Sequence, residues 1–234
     1  MDWISFYDFK HSVIYVNARH RDVHYRTIAT DIAKLVPSPA ARVMDYGCGE
    51  ATSADILADA CAHLTMVEAA PNVRAALAAR NAGNAKISVM TPEQAAAQPA
   101  GSYDMIVLHS VAQYLNGAEL DKLLATFRRL LKPGGVFVLG DIIKPHLAAP
   151  MAALALLRFG AENGFFWAAV GGLIRIVVSD YFKIKSKVGL SHYEEADMLK
   201  KLRDAGYEAR RAPRNIGHNQ QRMTFLANPS SLSR

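Results

Sequence analysis

Hydrophobic and polar positions follow two rhythms along this chain. Four short runs, Val43-Met44, Leu64-Thr65-Met66-Val67, Tyr103-Asp104-Met105-Ile106-Val107-Leu108 and Val136-Phe137-Val138-Leu139, are nearly continuous in apolar character and end at an acid, a histidine or a glycine. Runs of that kind, without strict alternation, mark strands covered on both faces. Between the first two lies the helical stretch Thr52 to Ala62, and ahead of them Tyr15 to Val36 has helical spacing, with Ile28, Ile32 and Leu35 on one side after the polar stretch Arg19 to Arg26. Leu131-Lys132-Pro133-Gly134-Gly135 reads as a helix stop and a turn before the fourth run. Ser191 followed by Glu194 is a capping box that starts a helix, with His192 just ahead of it. Ala205-Gly206-Tyr207-Glu208-Ala209 then stops that helix and leads into a strand, and Gln221 to Ala227 reads as the closing strand. Strands alternating with helices predict a doubly wound α/β fold.

Candidate chemistry gathers where the first run ends, in Asp45-Tyr46-Gly47-Cys48-Gly49-Glu50. Two glycines spaced one apart after a strand allow positive φ and let a ligand lie against the backbone. A dinucleotide fingerprint wants a third glycine where this chain has Thr52, which weakens a nicotinamide dehydrogenase reading. The flanking acids Asp45 and Glu50 suit a cationic or hydrogen-donating ligand better than a pyrophosphate. Glu68 ends the second run about twenty residues on, where such folds set a carboxylate against ribose hydroxyls.

Four stretches in order over residues 41 to 141 resemble the class I, Rossmann-like, S-adenosylmethionine-dependent methyltransferases: VMDYGCGE their glycine loop, Glu68 their second-strand acid, SYDMIVLHS their fourth strand and LLKPGGVFVLGD their fifth. Val107 to Leu115 looks like the form found in small-molecule and natural-product methyltransferases. The resemblance implies a mostly parallel seven-stranded sheet with an antiparallel last strand, a helical N-terminal cap and an apolar helical insertion after strand five. It implies S-adenosylmethionine as cofactor and S-adenosylhomocysteine as product. Asp45, Gly47, Cys48, Gly49, Glu68, Ala69 and His109 would surround the cofactor, with Ala51 at the family's third loop glycine and Thr91 and Glu93 nearest its adenine.

Composition fits one domain over 1–234: a cap over 1–38, a cofactor core over 41–141, an apolar lid over 142–188, and a C-terminal helix and hairpin over 189–234. Two cysteines and a start, Met1 to Ser5, without the marks of a secretory signal lead to the expectation of a cytoplasmic protein. The eight histidines are dispersed, with no metal-ligand spacing. Net charge is +6, but the basic groups at Arg19 to Arg26, Lys183 to Lys187 and Arg203 to Arg214 lack the interleaved aromatics that stack bases, so no nucleic-acid partner is expected.

His146 to Val178 is apolar but broken by Arg158, Glu162, Asn163 and Arg175, which leaves runs too short to span a bilayer. Three readings stand for it: a lid over an apolar acceptor, a homodimer face, or peripheral contact at the inner membrane surface. Tyr15, Tyr25, Tyr114 and His192 are the candidates for holding substrate, with His20 and His24 beside the tyrosines. His109, at the end of the fourth strand, is either a general base or a hydrogen-bonding partner of the cofactor, and Asp141 either orients an amine or hydroxyl or caps a turn. The expected function is methyl transfer to an O, N or C acceptor of a small, largely apolar metabolite. A lipid-headgroup methyltransferase and a non-catalytic cofactor-binding regulatory or scaffold protein are the alternatives.

Overall fold

The computed structural model describes residues 4, 8, 15–145, 149–178 and 190–230; the basic group Lys183 to Lys187 and the chain start lie outside them. A helix, α1 (Ala18–Ala33), precedes β1 (Arg42–Tyr46), α2 (Ala54–Asp59), β2 (His63–Val67), α3 (Pro71–Asn81), β3 (Ile87–Met90), α4 (Pro92–Ala96) and β4 (Tyr103–His109). After a short 3-10 turn over Ala112–Tyr114 come α5 (Gly117–Leu130), β5 (Leu131–Ile142), α6 (Ala149–Asn163), α7 (Phe166–Val178), α8 (Glu195–Asp204), β6 (Tyr207–Arg211) and β7 (Met223–Pro229). The sheet runs β3-β2-β1-β4-β5-β7-β6, and only β7 is antiparallel to its neighbours. The chain order reverses between β1 and β4, which opens a crevice at their carboxyl ends.

Each face of the sheet has its own core. Met44, Ile106, Phe137 and Phe225 pack on one side against Leu120, Leu124 and Phe127 of α5. Helix α5 shows why that side is firm: its apolar residues fall at i, i+4 and i+7, and Asn116 and Glu119 close a reciprocal capping box at its start. Val43, Leu64, Met66, Met105 and Val107 pack on the other side against Ile32, Leu57 and Leu77. Ile28 and Leu35 join them, so the apolar side expected of α1 faces the core.

Two local expectations are corrected. The Lys132-Pro133-Gly134-Gly135 turn is absorbed into β5: Tyr103 pairs with Leu131 but Met105 with Val136, so the extra residues leave as a bulge inside the ladder. The Ser191 capping box does not form. Helix α8 starts at Glu195 after Glu194, without a side-chain cap, because the Ser191 hydroxyl donates to Leu115 O at 2.7 Å.

Candidate active site

Five carboxyl ends stand in a row along one sheet edge: Thr91 after β3, Glu68 after β2, Gly47 after β1, His109 ending β4 and Asp141 near the end of β5. The β1 end of this row is made largely of backbone. Gly47 and Gly49 take φ of 73° and 61°. A Cβ on Gly47 would lie 2.4 Å from the Val111 side chain, and one on Gly49 2.9 Å from the Tyr25 hydroxyl. Ala51 also sits at positive φ, 38°, so the loop keeps its left-handed path even where the side chain resists it. Glu68 is buried, and its two carboxylate oxygens accept from Gly49 N at 2.9 Å and Ala70 N at 2.8 Å. Burial raises its pKa, against the pull of those N–H groups and of Arg74. Each oxygen keeps a second acceptor site for a ligand hydroxyl. Arg74 braces the same turn, donating to Glu68 O at 2.9 Å and Ala69 O at 3.0 Å. Asp45 lines the cleft one step away, its carboxyl pushed up to about 7 by burial and then by the neighbouring Glu68 charge. Burial likewise pushes the Cys48 thiol well above its ordinary value, so it is a wall and not a nucleophile at neutral pH.

The β4 end is made of side chains. Tyr25 accepts from Glu50 N at 3.0 Å and hydrogen-bonds Tyr15, whose hydroxyl is pushed up to about 12, mainly by burial. His24 faces the cleft with ring centroids 6.0 Å from both His20 and His218. Phe165 stacks on His20 at 4.9 Å and Phe159 on His218 at 4.3 Å. Burial, then the other imidazoles, pulls His24 down to about 3 and His20 to about 4, so both rings are neutral near pH 7. His109 lines the cleft as well. Its pKa is lowered, by burial first and Arg222 second, with Asp141 opposing. Its Nδ1 lies buried without a hydrogen-bond partner among the described residues, 2.6 Å from where a Cβ on Gly140 would stand.

Asp141 stands behind His109. It accepts from the Ser110 hydroxyl at 2.6 Å and pairs with Arg222, while its own N donates to Asn215 Oδ1 at 3.3 Å. Burial resists its ionisation, but Arg222, His109 and the Ser110 hydroxyl together hold its carboxyl below the usual range. Ser110 and Asp141 both have positive φ, 59° and 67°, a conformation costing roughly 1–3 kcal/mol per residue that clusters at functional sites.

Of the residues expected to bind, Tyr15, Tyr25, Asp45, Gly47, Cys48, Gly49, Glu68, His109 and Tyr114 line one cleft, joined by His24 and Ser110. Thr91, Glu93 and Ala69 stand outside its lining. Thr91 accepts from Gln94 N to cap α4, and its hydroxyl holds the exposed Glu93 carboxyl below its ordinary range. His192 is exposed, in a segment pinned by Ser191 N on Gln113 O and Tyr193 N on Ile143 O. Asp141 supports His109 and does not face the cleft. His218, Asn215 and Arg222 carry no motif and come into place only through the chain between β6 and β7. No cluster of three or more histidine, cysteine or acidic side chains among the described residues could hold a metal ion.

Known proteins share this fold. Residues 44–139 match the family model described as a methyltransferase domain. An uncharacterized methyltransferase of Synechocystis is 28% identical over 142 residues, covering 57% of this chain and 63% of its own. A ubiquinone biosynthesis O-methyltransferase of Xanthomonas campestris is 28% identical over 134 residues, covering 56% of this chain and 53% of its own. The chain thus spans less than two thirds of the length of either relative. Among solved structures, the Burkholderia thailandensis 1,6-didemethyltoxoflavin-N1-methyltransferase, with its substrate and S-adenosylhomocysteine bound, superposes with a TM-score of 0.58 at 16% identity, over 97% of this chain and 88% of that one. A chain of the complex between the Haloferax volcanii Trm112 methyltransferase activator and a putative methyltransferase gives 0.64 at 12% identity, over 99% of both. The matched domain, the glycine loop and the acid-tipped second strand coincide on the same residues, and over residues 44–139 the chain is similar to the methyltransferase domain family within a class I, Rossmann-like fold.

Proposed function

We propose that this protein transfers the methyl group of S-adenosylmethionine to an O, N or C acceptor of a small, largely apolar metabolite, leaving S-adenosylhomocysteine. The observation that carries the reading is the pairing in one cleft of a backbone-clamped Glu68 with an aromatic, imidazole-lined far wall. The residues at the β1 end fit the cofactor. Glu68 is fixed to receive ribose hydroxyls, Gly47 and Gly49 leave no side chain between ligand and backbone, and Asp45 is a buried acid that a cation would restore to its charged form. Bound there, S-adenosylmethionine supplies an electrophilic methyl carbon on a sulfonium.

The chain then has to hold an acceptor in line and keep water out, and positioning alone supplies much of the acceleration. Tyr15, Tyr25 and Tyr114 give an apolar body with hydroxyl tips for a ring-shaped acceptor. His109 is neutral and so able to accept a proton where the acceptor carries one. Its Nδ1 lies against Gly140, which leaves Nε2 as the nitrogen that serves the cleft. Asp141, held ionised, stabilises the imidazolium that such a transfer creates.

Isothermal titration of the purified protein with S-adenosylmethionine and S-adenosylhomocysteine tests the first half of this reading, with mass spectrometry of the sample for a copurified ligand. Micromolar binding is expected. Absence of binding to a folded, ligand-free sample overturns it. Methyl transfer to a copurified or screened apolar acceptor tests the second half, and binding without turnover on any acceptor would reassign the chain to a regulatory cofactor-binding role.

A further inference from the structure

The large hydrophobic side chains that stand exposed among the described residues are Met151, Leu154, Phe166, Trp167 and Ile174, and all five belong to the α6–α7 hairpin. Isolated exposed apolar residues are ordinary, but such a concentration on one supersecondary unit marks an interaction surface. Trp167 is 81% exposed and Ile174 59%, and Phe166 meets Trp167 edge to face at 5.3 Å, so the aromatics form one cluster.

The hairpin is two-sided. Its inner face is committed: Phe159, Phe165 and Ala169 are buried against Val16 and Val23, and through Phe159 and Phe165 it roofs the imidazoles of His218 and His20. The outer face falls into one stripe per helix. Met151, Leu154 and Arg158 are spaced i, i+3 and i+7 on α6, where they also border a groove with Asp31 and Arg214, and Trp167, Gly171 and Ile174 i, i+4 and i+7 on α7, with Arg175 beside the last. Each apolar stripe therefore ends at an arginine, whose stem can lie along apolar surface while its head stays in water.

We infer that the outer face of the α6–α7 hairpin seats the protein on an anionic lipid surface. Charge selects this occupant. From Lys144 to Lys187 the sequence holds Lys144, Arg158, Arg175, Lys183, Lys185 and Lys187 against only Glu162 and Asp180, a basic excess that anionic headgroups complement. A second copy of the chain is a poorer match, because its hairpin would bring two further arginines to the contact and only Glu162 to pair with them. The hairpin lies on the surface and does not cross: α7 has 13 residues, roughly 20 Å at 1.5 Å each against a hydrocarbon core of about 30 Å, and no described helix is long and apolar enough to span. Amphipathic helices of this kind, with an aromatic on the apolar side and basic residues at its edge, bury their apolar face at the headgroup boundary. Seated this way, the roof of the imidazole wall would face the lipid, where an apolar acceptor concentrates; that last step alone rests on the methyl-transfer reading.

The test needs neither cofactor nor turnover. A Trp3→Phe variant leaves Trp167 as the sole tryptophan reporter. Sedimentation with phosphatidylcholine vesicles, with and without phosphatidylglycerol, should show binding that requires the anionic lipid, weakens with salt and shifts Trp167 emission to the blue. Replacing Trp167→Ser and Ile174→Ser together should lower partitioning at least about tenfold, from the lost apolar burial, and Arg158→Glu with Arg175→Glu should lower it separately. Circular dichroism and urea unfolding confirm that both pairs remain folded. Overturning results are absence of vesicle binding at low salt, binding unchanged in both double variants, or a concentration-dependent dimer that the Trp167 and Ile174 changes abolish. Any of these would leave the cofactor assignment untouched.

Discussion

The two ends of the cleft are built from different materials. At the β1 end a ligand meets main chain: two glycines in the left-handed region, and a carboxylate whose oxygens are already held by Gly49 N and Ala70 N. At the β4 end it meets side chains from α1 and from the end of β4, backed by the buried network of Ser110, Asp141, Asn215 and Arg222. A backbone cradle depends on a few residues that allow its path. A side-chain wall depends on every partner in its network, so the β4 end should be where single substitutions disturb the fold as well as the chemistry.

The largest expected effect follows from that. Arg222→Met strips the counter-ion from Asp141, whose side chain is only 12% exposed. Leaving one member of a buried pair unpaired costs about 3–5 kcal/mol, and the Asp141 charge keeps Ser110 as a partner, so about 3 kcal/mol is expected from urea unfolding. Adding Asp141→Asn should recover part of it. Affinity of the folded variant for S-adenosylhomocysteine should stay within about twofold, since the site for it lies two strands away; a parallel loss of both would erase the distinction between the ends.

Next in size is the response to acid, where the ends should titrate in opposite directions. His20 and His24 have folded pKa values of about 4 and about 3, below the ordinary 6.5. Below pH 6.5 the unfolded chain takes up protons that the folded rings refuse, so their contribution is complete above 6.5 and falls as pH drops toward 4 and 3. Asp45, raised to about 7, does the reverse: between about 7 and 4 the folded protein holds the extra proton, which opposes the loss. A tenfold difference in proton affinity between the folded and unfolded chain is worth about 1.4 kcal/mol. The two rings outweigh the one acid, and stability should fall by roughly 2 kcal/mol between pH 6.5 and 4.5. His24→Phe should flatten that slope by about one proton in denaturation measured across the range. A slope unchanged by that substitution would remove the imidazole wall as its source.

A smaller split concerns binding against turnover. Glu68→Ala removes hydrogen bonds to a charged acceptor and should weaken cofactor binding by about 1.5–3 kcal/mol. His109→Asn should lower turnover more than cofactor affinity if the imidazole moves a proton. Equal loss of both by titration and steady-state kinetics would make His109 a binding group and tie the two ends together.

The sequence exposed the two ends unequally, for a physical reason. Asp45, Gly47, Gly49 and Glu68 fall within one strand-turn-helix-strand passage, and each is dictated by a local need: positive φ, close approach, or an acid where a strand stops. Tyr15, Tyr25 and His109 could be reached from helix periodicity and strand ends. His218, Asn215 and Arg222 could not, because nothing about their neighbours in sequence distinguishes them until β7 inserts beside β5. Local signals also failed where a tertiary partner outbid them. The Ser191 hydroxyl went to Leu115 O and not to a helix start, and the Pro133-Gly134 turn became a bulge because β4 paired on both sides of it.

The finest test bears on Asp45 alone. At pH 7 a carboxyl with a pKa of about 7 is about half protonated, so a cationic ligand beside it must displace roughly half a proton on binding. Affinity for S-adenosylmethionine should then gain only about twofold from pH 7 to the plateau above 8, and fall about tenfold per unit below 6. The ligand's own α-amino group titrates near 8, so the reading is the difference between the native protein and Asp45→Asn, taken by titration in buffers of differing ionisation enthalpy. A native protein that releases no more protons than the Asn variant would mean that Asp45 does not meet the cation. The β1 end would then be reduced to Glu68 and the glycine backbone, with its acid left as a buried neutral wall.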